Sequence, residues 1–385
     1  MCDESRGPRI CMPTGRNFKK RAFHCGHYEA QDVLLATDDV DLICLEPALG
    51  HVFKEAWQRR LLYRDISRRL IYANPGLRKV RLTKGYDIFI AVCETYKDLL
   101  SVNAIEGWED KCRTSICLIE EMWAASIPQY KYWLHALNRF DHIFLGCRGS
   151  VKALSDALGR PCHWLSGAVD AFRFSPYPNP PARVIDVYSI GRRWEGIHRS
   201  LLEAAQRKEI FYVYDTFSGS GAGVYNPQQH RDLFANTAKR SRYFVVAPGK
   251  MDAVDETNGQ VEVGHRYYEG AAAGAVLIGQ APNCEAFREM FPWPDAVVEI
   301  QPDGSDVLDV LRHLDSHPER TASIGRRNAS ESLLRHDWVH RWKEMFRVAG
   351  IEPSPAMQDR ELRLQDLAAL VNSSEKDEAA LIASC

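Results

Sequence analysis

Two short apolar runs, separated by a polar loop and a small-residue helix, most constrain the fold of this chain. The runs Tyr243–Ala247 and Ala275–Ile278 are β-branched or aromatic and are bounded by Gly or Pro, which predicts buried strands of a parallel sheet. Between them, Tyr267–Ala273 is predicted as a helix that stops at Gly274. Such a unit places its loop and the helix N-terminus at the carboxyl edge of the sheet, where open α/β sheets bind ligands.

The residues at this edge suit a phosphorylated sugar. Arg266 and Glu269 fall in the first turn of the helix. A helix N-terminus beside an Arg suits a phosphate, and a carboxylate can accept two hydrogen bonds from vicinal hydroxyls. Gly264 and His265 come just before the helix, and their backbone amides are candidates for holding a β-phosphate.

A second ligand-facing turn is predicted where the strand Arg183–Ile190 ends. It reads Gly191-Arg192-Arg193. Glycine lets the backbone approach a ligand closely, and two adjacent guanidinium groups can bind a diphosphate. Lys250 follows the strand Tyr243–Ala247 and would lie beside the nucleotide base or the same phosphates.

The first half of the chain also alternates strands with helices, so it is predicted to be α/β with a mainly parallel sheet. Residues 1–30 show little periodicity and are expected to be partly irregular. Residues 51–73 carry apolar side chains at helical spacing. The predicted strands are Val40–Leu45, Tyr86–Val92, Ser115–Ile119 and Ile143–Leu145.

The stretch RYYEGAAAGAVLIGQAP resembles the donor-binding signature of nucleotide-sugar glycosyltransferases with the GT-B architecture, in particular the group-1 and CgeB-like families. The resemblance implies that Glu269 binds the nucleotide ribose. The family's donor-sugar Glu would fall at Val261, and the neighbouring Glu262 is the candidate for that contact. The Gly191-Arg192 turn resembles the one whose Arg offsets charge on the leaving diphosphate. Lys250 would replace a Lys that the family usually carries near that turn.

The stretch from Gly167 to Pro176 resembles the end of the acceptor domain in the same family, and the proline-rich run Ser175–Pro181 is predicted to be a linker. We therefore expect the GT-B architecture, with two Rossmann-like domains whose parallel sheets face each other across a cleft. The expected divisions are an acceptor domain (1–176), a donor domain (177–345) and a helical tail (346–385) that packs back on the first domain.

Carboxylates at strand ends of the first half would line this cleft. Glu120 and Glu121 are the candidates for activating an acceptor hydroxyl or binding its sugar, ahead of Glu46 and Glu94. The alternative is that they are helix-start acids favoured by the helix dipole. His336 and His340 share a helix spacing that zinc sites use, but no third ligand is evident, so no metal site is predicted.

The expected function is a metal-independent, retaining glycosyltransferase that moves a sugar from a nucleotide-diphospho-sugar to a hydroxyl on a glycan, a lipid-linked molecule or a small molecule. The donor is a co-substrate, and no cofactor is expected. The alternative is a non-catalytic nucleotide-sugar-binding or scaffold protein on the same fold. Binding of nucleotide sugars, followed by an assay for transfer, separates the two.

Composition agrees with an ordinary cytoplasmic protein. The formal net charge of the 385 residues is −2, so no global field is expected to attract nucleic acid or membrane. No apolar stretch is long enough to cross a bilayer, and the polar N-terminus carries no signal-peptide core. The 11 cysteines show no regular spacing, which favours reduced thiols. The donor sugar, the base, the acceptor and the oligomeric state, including a homodimer, stay open.

Overall fold

The structure is a computed structural model that describes residues 9–64, 66–216 and 223–383, with side chains described as far as residue 373. Its N-terminal half contains a six-stranded parallel sheet in the order β2-β1-β4-β6-β7-β8. These strands are β1 (Ile10–Thr14), β2 (Val40–Cys44), β4 (Tyr86–Thr95), β6 (Cys112–Glu121), β7 (His142–Leu145) and β8 (His163–Trp164). A small parallel pair stands apart from this sheet and consists of β3 (Val80–Arg81) and β5 (Ile105–Glu106).

Helices cover both faces of this sheet. They are α1 (Cys25–Thr37), α2 (His51–Tyr63), α3 (Leu99–Val102), α4 (Trp108–Lys111), α5 (Lys131–Leu137), α6 (Val151–Leu158) and α7 (Ala171–Phe174). The four inner strands, β1, β4, β6 and β7, are mostly buried on both faces, which explains their largely apolar character.

The C-terminal half repeats this plan with a five-stranded parallel sheet in the order β10-β9-β11-β12-β13. Its strands are β9 (Ile185–Ser189), β10 (Tyr212–Tyr214), β11 (Ser241–Val246), β12 (Val276–Gly279) and β13 (Val298–Glu299). Its helices are α8 (Glu195–Gln206), α9 (Pro227–Lys239), α10 (Val254–Thr257), α11 (His265–Ala272), α12 (Glu285–Met290), α13 (Val307–Asp315) and α14 (Pro318–Arg335). The prediction of two Rossmann-like halves with parallel sheets is confirmed.

The last two helices return to the N-terminal half. They are α15 (Trp338–Ala349) and α16 (Pro355–Ala383). Trp342 and Phe346 of α15 and Leu364 of α16 belong to the same buried cluster as Ile10 and Ile88 of the first sheet. The return therefore begins at α15, before residue 345.

One local prediction is wrong and another is incomplete. Within the described part of the partly irregular start, β1 pairs with both β2 and β4 in the interior of the first sheet and α1 begins at Cys25, two elements that were not predicted. The helix predicted over 51–73 ends at Tyr63, and a separate 3₁₀ turn covers Arg68–Tyr72.

The small residues of α11 have a packing reason. A Cβ placed on Gly270 would lie 2.6 Å from Leu277 Cδ2 and 2.7 Å from Phe244 Cδ1. The helix therefore lies directly on β11 and β12, and this close approach fixes its N-terminus at the carboxyl edge of the second sheet.

Candidate active site between the two sheets

The carboxyl ends of the two sheets meet, and side chains predicted for separate roles contact each other there. The Lys250 ammonium, beyond β11, lies 2.5 Å from the Glu121 carboxylate at the end of β6. His265, at the start of α11, places Nε2 3.5 Å from Oε2 of Glu120. The candidate catalytic acids and the candidate donor-binding residues thus form one site.

A histidine missed at the sequence level organises the N-terminal side of this site. His27 of α1 is buried, with Nδ1 2.5 Å from Glu120 Oε1 and Nε2 3.2 Å from Glu94 Oε2. Both ring nitrogens can donate to carboxylates only when the imidazole is protonated. His24 adds a weaker contact, with Nε2 3.7 Å from Glu94 Oε2.

The charges of this cluster shift its pKa values in opposite directions. Burial disfavours the imidazolium of His27, but the charge and hydrogen bond of Glu120, with those of Glu94, raise its pKa well above the ordinary value. Burial also opposes the charge of Glu120, yet His27 and His265 together lower the pKa of that carboxyl. Burial raises the pKa of Glu94. For His24, burial and then the charge of His27 lower the pKa to about 4. The cluster therefore holds an ionised Glu120 against a charged His27.

A cavity of about 50 Å³ opens beside this cluster in the N-terminal half. It lies at the carboxyl ends of β1 and β4, where open α/β sheets receive ligands. Its polar lining comes from Thr14, Lys19, His24, His27, Gln31 and Glu94. Lys19 is paired with Asp98, and Thr14 donates to Gln31 Oε1 at 2.8 Å. Imidazole and carboxylate groups thus line the cavity.

Cations line the opposite side of the site. Arg192 is half-exposed and pairs with Asp252. Lys250 pairs with Glu256 as well as with Glu121. Arg193 instead contacts Asp215 in its own half. It donates to the backbone carbonyl of Asp215 at 2.7 Å, and its Nη1 lies 3.1 Å from Oδ1 of the Asp215 carboxylate.

Glycine allows the close approach of the turn that follows β9. Gly191 has φ +83°, and a Cβ there would lie 3.5 Å from Nε of Arg266. Nε of Arg266 donates to the Ile190 carbonyl at 3.2 Å. The first arginine turn and the start of α11 therefore adjoin, as the phosphate-binding interpretation requires. At Gly264, a Cβ would come within 3.1 Å of the Ala247 carbonyl oxygen, so a side chain there would require a small shift of the backbone.

Glu269 is buried and both of its carboxylate oxygens are occupied. Oε1 pairs with Arg231 of α9, and Oε2 pairs with Arg266. Arg231 also binds both oxygens of Glu29 in α1, at 2.8 and 2.9 Å. This run of charges joins the two halves of the chain behind the site. The ribose-binding role of Glu269 stays a prediction.

Glu262 also bridges the halves. Its carboxylate accepts from the backbone N–H groups of Arg148 and Gly149 at 3.1 and 2.8 Å and from Gln260 Nε2 at 2.6 Å. It is 6% exposed, so burial raises its pKa. Its predicted contact with a donor sugar is untested.

His336, the first histidine of the pair near the C-terminus, is packed in the protein core. His336 is completely buried and packs against the rings of Tyr268 and Phe291, with centroids 4.9 and 4.7 Å away. Burial lowers its pKa well below the ordinary value, so the ring is neutral. Across the described ranges, no three His, Cys, Asp or Glu side chains are grouped as a metal site would require.

Comparison with known proteins gives one informative result. Residues 190–347 match the family described as glycosyl transferase-like. The match begins at Ile190, ends within α15 and contains every donor-side candidate from Gly191 to Glu269. The predicted resemblance to glycosyltransferases is thus confirmed over this segment, which is less than half of the chain. The CgeB-like assignment stays a prediction.

No curated protein matches the chain. Among solved structures, Anabaena HepE in complex with UDP-glucose has 11% identity and a TM-score of 0.49, over 89% of this chain and 99% of its own. An α-glucosyltransferase bound to UDP and DNA has the same identity and score, over 90% and 100%. S. aureus MnaA with UDP also has 11% identity and a TM-score of 0.49, over 90% of this chain and 99% of its own. These TM-scores are below 0.5, so the description of the fold rests on the topology of the two sheets.

Proposed function

We propose that this protein is a glycosyltransferase that moves a sugar from a nucleotide-diphospho-sugar to a hydroxyl-bearing acceptor. The observation that carries the proposal is the contact of His265 with Glu120 across the two carboxyl edges, at 3.5 Å. The matched segment, residues 190–347, supplies the donor side of that contact, and the N-terminal half supplies the carboxylate.

The donor diphosphate would bind between Arg192, Lys250 and the N-terminus of α11. Arg192 is now paired with the exposed Asp252, and Lys250 is paired with the exposed Glu256 as well as with Glu121. A diphosphate carries more charge and more acceptor oxygens, so it would displace them. Charge that develops on the leaving diphosphate would then be offset by side chains already in place, without an obligatory metal ion.

Glu269 would receive the ribose hydroxyls when Arg266 turns from its Oε2 toward the phosphates. Arg231 would keep Oε1 and hold the carboxylate in position. The N–H groups of Gly264 and His265 add the partial positive charge of a helix N-terminus. Glu262 would act through the loop that it fixes before α11.

On the other side, the ionised Glu120 would stabilise the positive charge that develops at the anomeric carbon. The bond from that carbon to the phosphate oxygen breaks, and a bond to the acceptor oxygen forms. The hydroxyl proton passes to the departing diphosphate, which is consistent with retention of configuration. His27 is a positioning residue that orients Glu120, and Glu121 positions Lys250.

Titration calorimetry with UDP-, GDP-, ADP- and TDP-sugars tests donor binding. Mass spectrometry of a reaction with cell extract and the same donors tests transfer and identifies the acceptor class. A transferred hexose mass that persists in EDTA supports the proposal. If the donor binds but is neither transferred nor hydrolysed, the protein is a non-catalytic binding protein.

The cytoplasmic location is part of the proposal. Within the described chain, no helix is both long and apolar enough to cross a bilayer.

A further inference from the structure

The outer face of α2 is apolar at one end and cationic at the other. The buried side of this helix is formed by His51, Gln58 and Leu62, at positions i, i+7 and i+11. The opposite side presents Phe53, Trp57, Arg60 and Arg64, at i, i+4, i+7 and i+11, which is one helix face.

The apolar end of this face is unusually open. Phe53 is 76% exposed, Trp57 64% and Val52 72%, and Leu49 just before the helix is fully exposed. Large apolar side chains that cluster in this way mark an interaction surface, whereas isolated ones are ordinary. The helical spacing of these residues would place them in a core, so their exposure calls for a partner.

The cationic end of the face indicates that the partner is negatively charged. Residues 51–64 carry four cations and one acid, although the whole chain has a net charge of −2. Among the residues that the structure describes, Arg60 and Arg64 have no carboxylate partner. Arg59, Arg60, Arg64 and Lys97 surround a shallow groove beside Tyr63. Arg68 and Arg69 in the following turn are exposed as well.

We infer that α2 docks this protein on an anionic membrane surface. An amphipathic helix that combines Trp and Phe with adjacent Arg lies in the lipid interface, with its rings at headgroup depth and its cations on lipid phosphates. Nucleic acid offers charge but no apolar layer for the exposed rings of Phe53 and Trp57, so charge complementarity and apolar exposure together favour lipid.

The buried side of α2 packs next to the candidate site. Phe18 packs edge-on against His51 at 5.5 Å, and the next residue, Lys19, lines the cavity. The C-terminal end of α2 is also tied to the first sheet, because the Tyr63 and Tyr96 hydroxyls are hydrogen-bonded and Tyr96 directly follows β4. Docking through the opposite face would therefore place α2 between the membrane surface and the cavity, a separation of about 10 Å, the diameter of one helix. Membrane docking does not depend on glycosyl transfer, so vesicle binding and donor binding can fail separately.

Co-sedimentation of the full chain with vesicles tests this inference. We expect binding to phosphatidylcholine vesicles containing phosphatidylserine at low salt, and little binding to phosphatidylcholine alone. The double variant Arg60→Glu/Arg64→Glu should weaken binding by roughly thirtyfold or more. Phe53→Ser/Trp57→Ser should weaken it by on the order of tenfold. All four side chains are exposed, so both variants should keep the wild-type circular dichroism spectrum.

Matched substitutions elsewhere serve as controls. Leu233→Ser removes a 68% exposed apolar side chain on α9, and Arg312→Glu/Arg347→Glu reverses two exposed charges on α13 and α15. These variants should bind vesicles within about twofold of wild type, since neither touches α2. Equal binding by the α2 variants, absence of vesicle binding at low salt, or preferential binding of a fluorescent oligonucleotide through the same residues would each overturn the inference.

Discussion

His265 and Glu120 lie 3.5 Å apart although they are 145 positions apart in the chain. His265 is the first residue of α11 in the C-terminal half, and Glu120 is the last residue but one of β6, an inner strand of the N-terminal sheet. Their contact closes the site between the two sheets. The other oxygen of Glu120 contacts Nδ1 of His27, so a single carboxylate binds one histidine from each half of the chain.

Glu120→Gln should reduce the rate of transfer by roughly a hundredfold while donor binding changes little, because the lost charge acts in the transition state. Steady-state kinetics and calorimetry on the same preparation measure the two effects. Glu46→Gln is the matched control, since Glu46 also follows a strand but is exposed and paired with Arg78. Equal losses in both variants would contradict the role given to Glu120.

The His27 cluster should make stability fall as pH rises. The folded-state pKa of His27 is raised above 6.5, so its contribution is complete below about pH 6.5 and is lost as pH rises toward the folded pKa. Urea unfolding of wild type and His27→Gln at pH 6, 7, 8 and 9 measures this. The stability difference between the two proteins should shrink with increasing pH, and a constant difference would contradict the prediction.

Arg231→Met should destabilise the protein by about 3–5 kcal/mol, because it leaves the buried carboxylates of Glu29 and Glu269 without their shared partner. The exposed pair of Arg320 with Asp295 provides the control, and Arg320→Met should cost less than about 1 kcal/mol. Chemical denaturation measures both. Replacing Glu29 and Glu269 with Gln in the Arg231→Met background should restore part of the loss; no recovery would count against the charge explanation.

Two helix glycines should respond to alanine with opposite signs. Gly270→Ala should destabilise by about 1–3 kcal/mol, since the new methyl group would overlap Leu277 and Phe244. Gly26→Ala in α1 meets no atom within 4 Å and should stabilise by up to about 1 kcal/mol. Thermal or urea unfolding distinguishes them, and the same sign for both would show that the packing of α11 has been misread.

Lys250→Met should weaken binding of a nucleoside diphosphate by about tenfold and leave binding of the corresponding nucleoside unchanged, because only the phosphates meet the ammonium group. Calorimetry with both ligands gives the ratio. Lys152→Met removes an 86% exposed cation that pairs with Asp156 on its own helix, and it should change neither affinity. A parallel loss for nucleoside and diphosphate would place Lys250 beside the base instead.

The sequence allowed the ligand-facing unit of the second half to be predicted because its signals are local. The strands flanking α11 are dense in β-branched and aromatic residues, and Gly274 adopts the left-handed conformation, φ +62°, that its place after the helix predicts. β1 was missed because Cys11, Met12 and Pro13 are weak strand formers. Its pairing with β2 and β4 supplies the stability that its composition does not.

The histidine centre could not be predicted from local patterns. His27 lies 67 and 93 residues from its two carboxylate partners, so only the order of strands in the sheet brings them together. The spacing of α2 showed a helix but not its buried side, since Leu62 faces inward while Phe53 and Trp57 face outward. Periodicity identifies a helix face; whether the protein or a partner covers that face depends on tertiary contacts.

A structure of this protein with a bound nucleotide-diphospho-sugar would test the central claim most directly. We predict the diphosphate within hydrogen-bond distance of Arg192 and Lys250, the ribose hydroxyls on Glu269, and the sugar facing Glu120. A diphosphate bound away from these cations, or a ribose with no contact to Glu269, would contradict the proposed donor site.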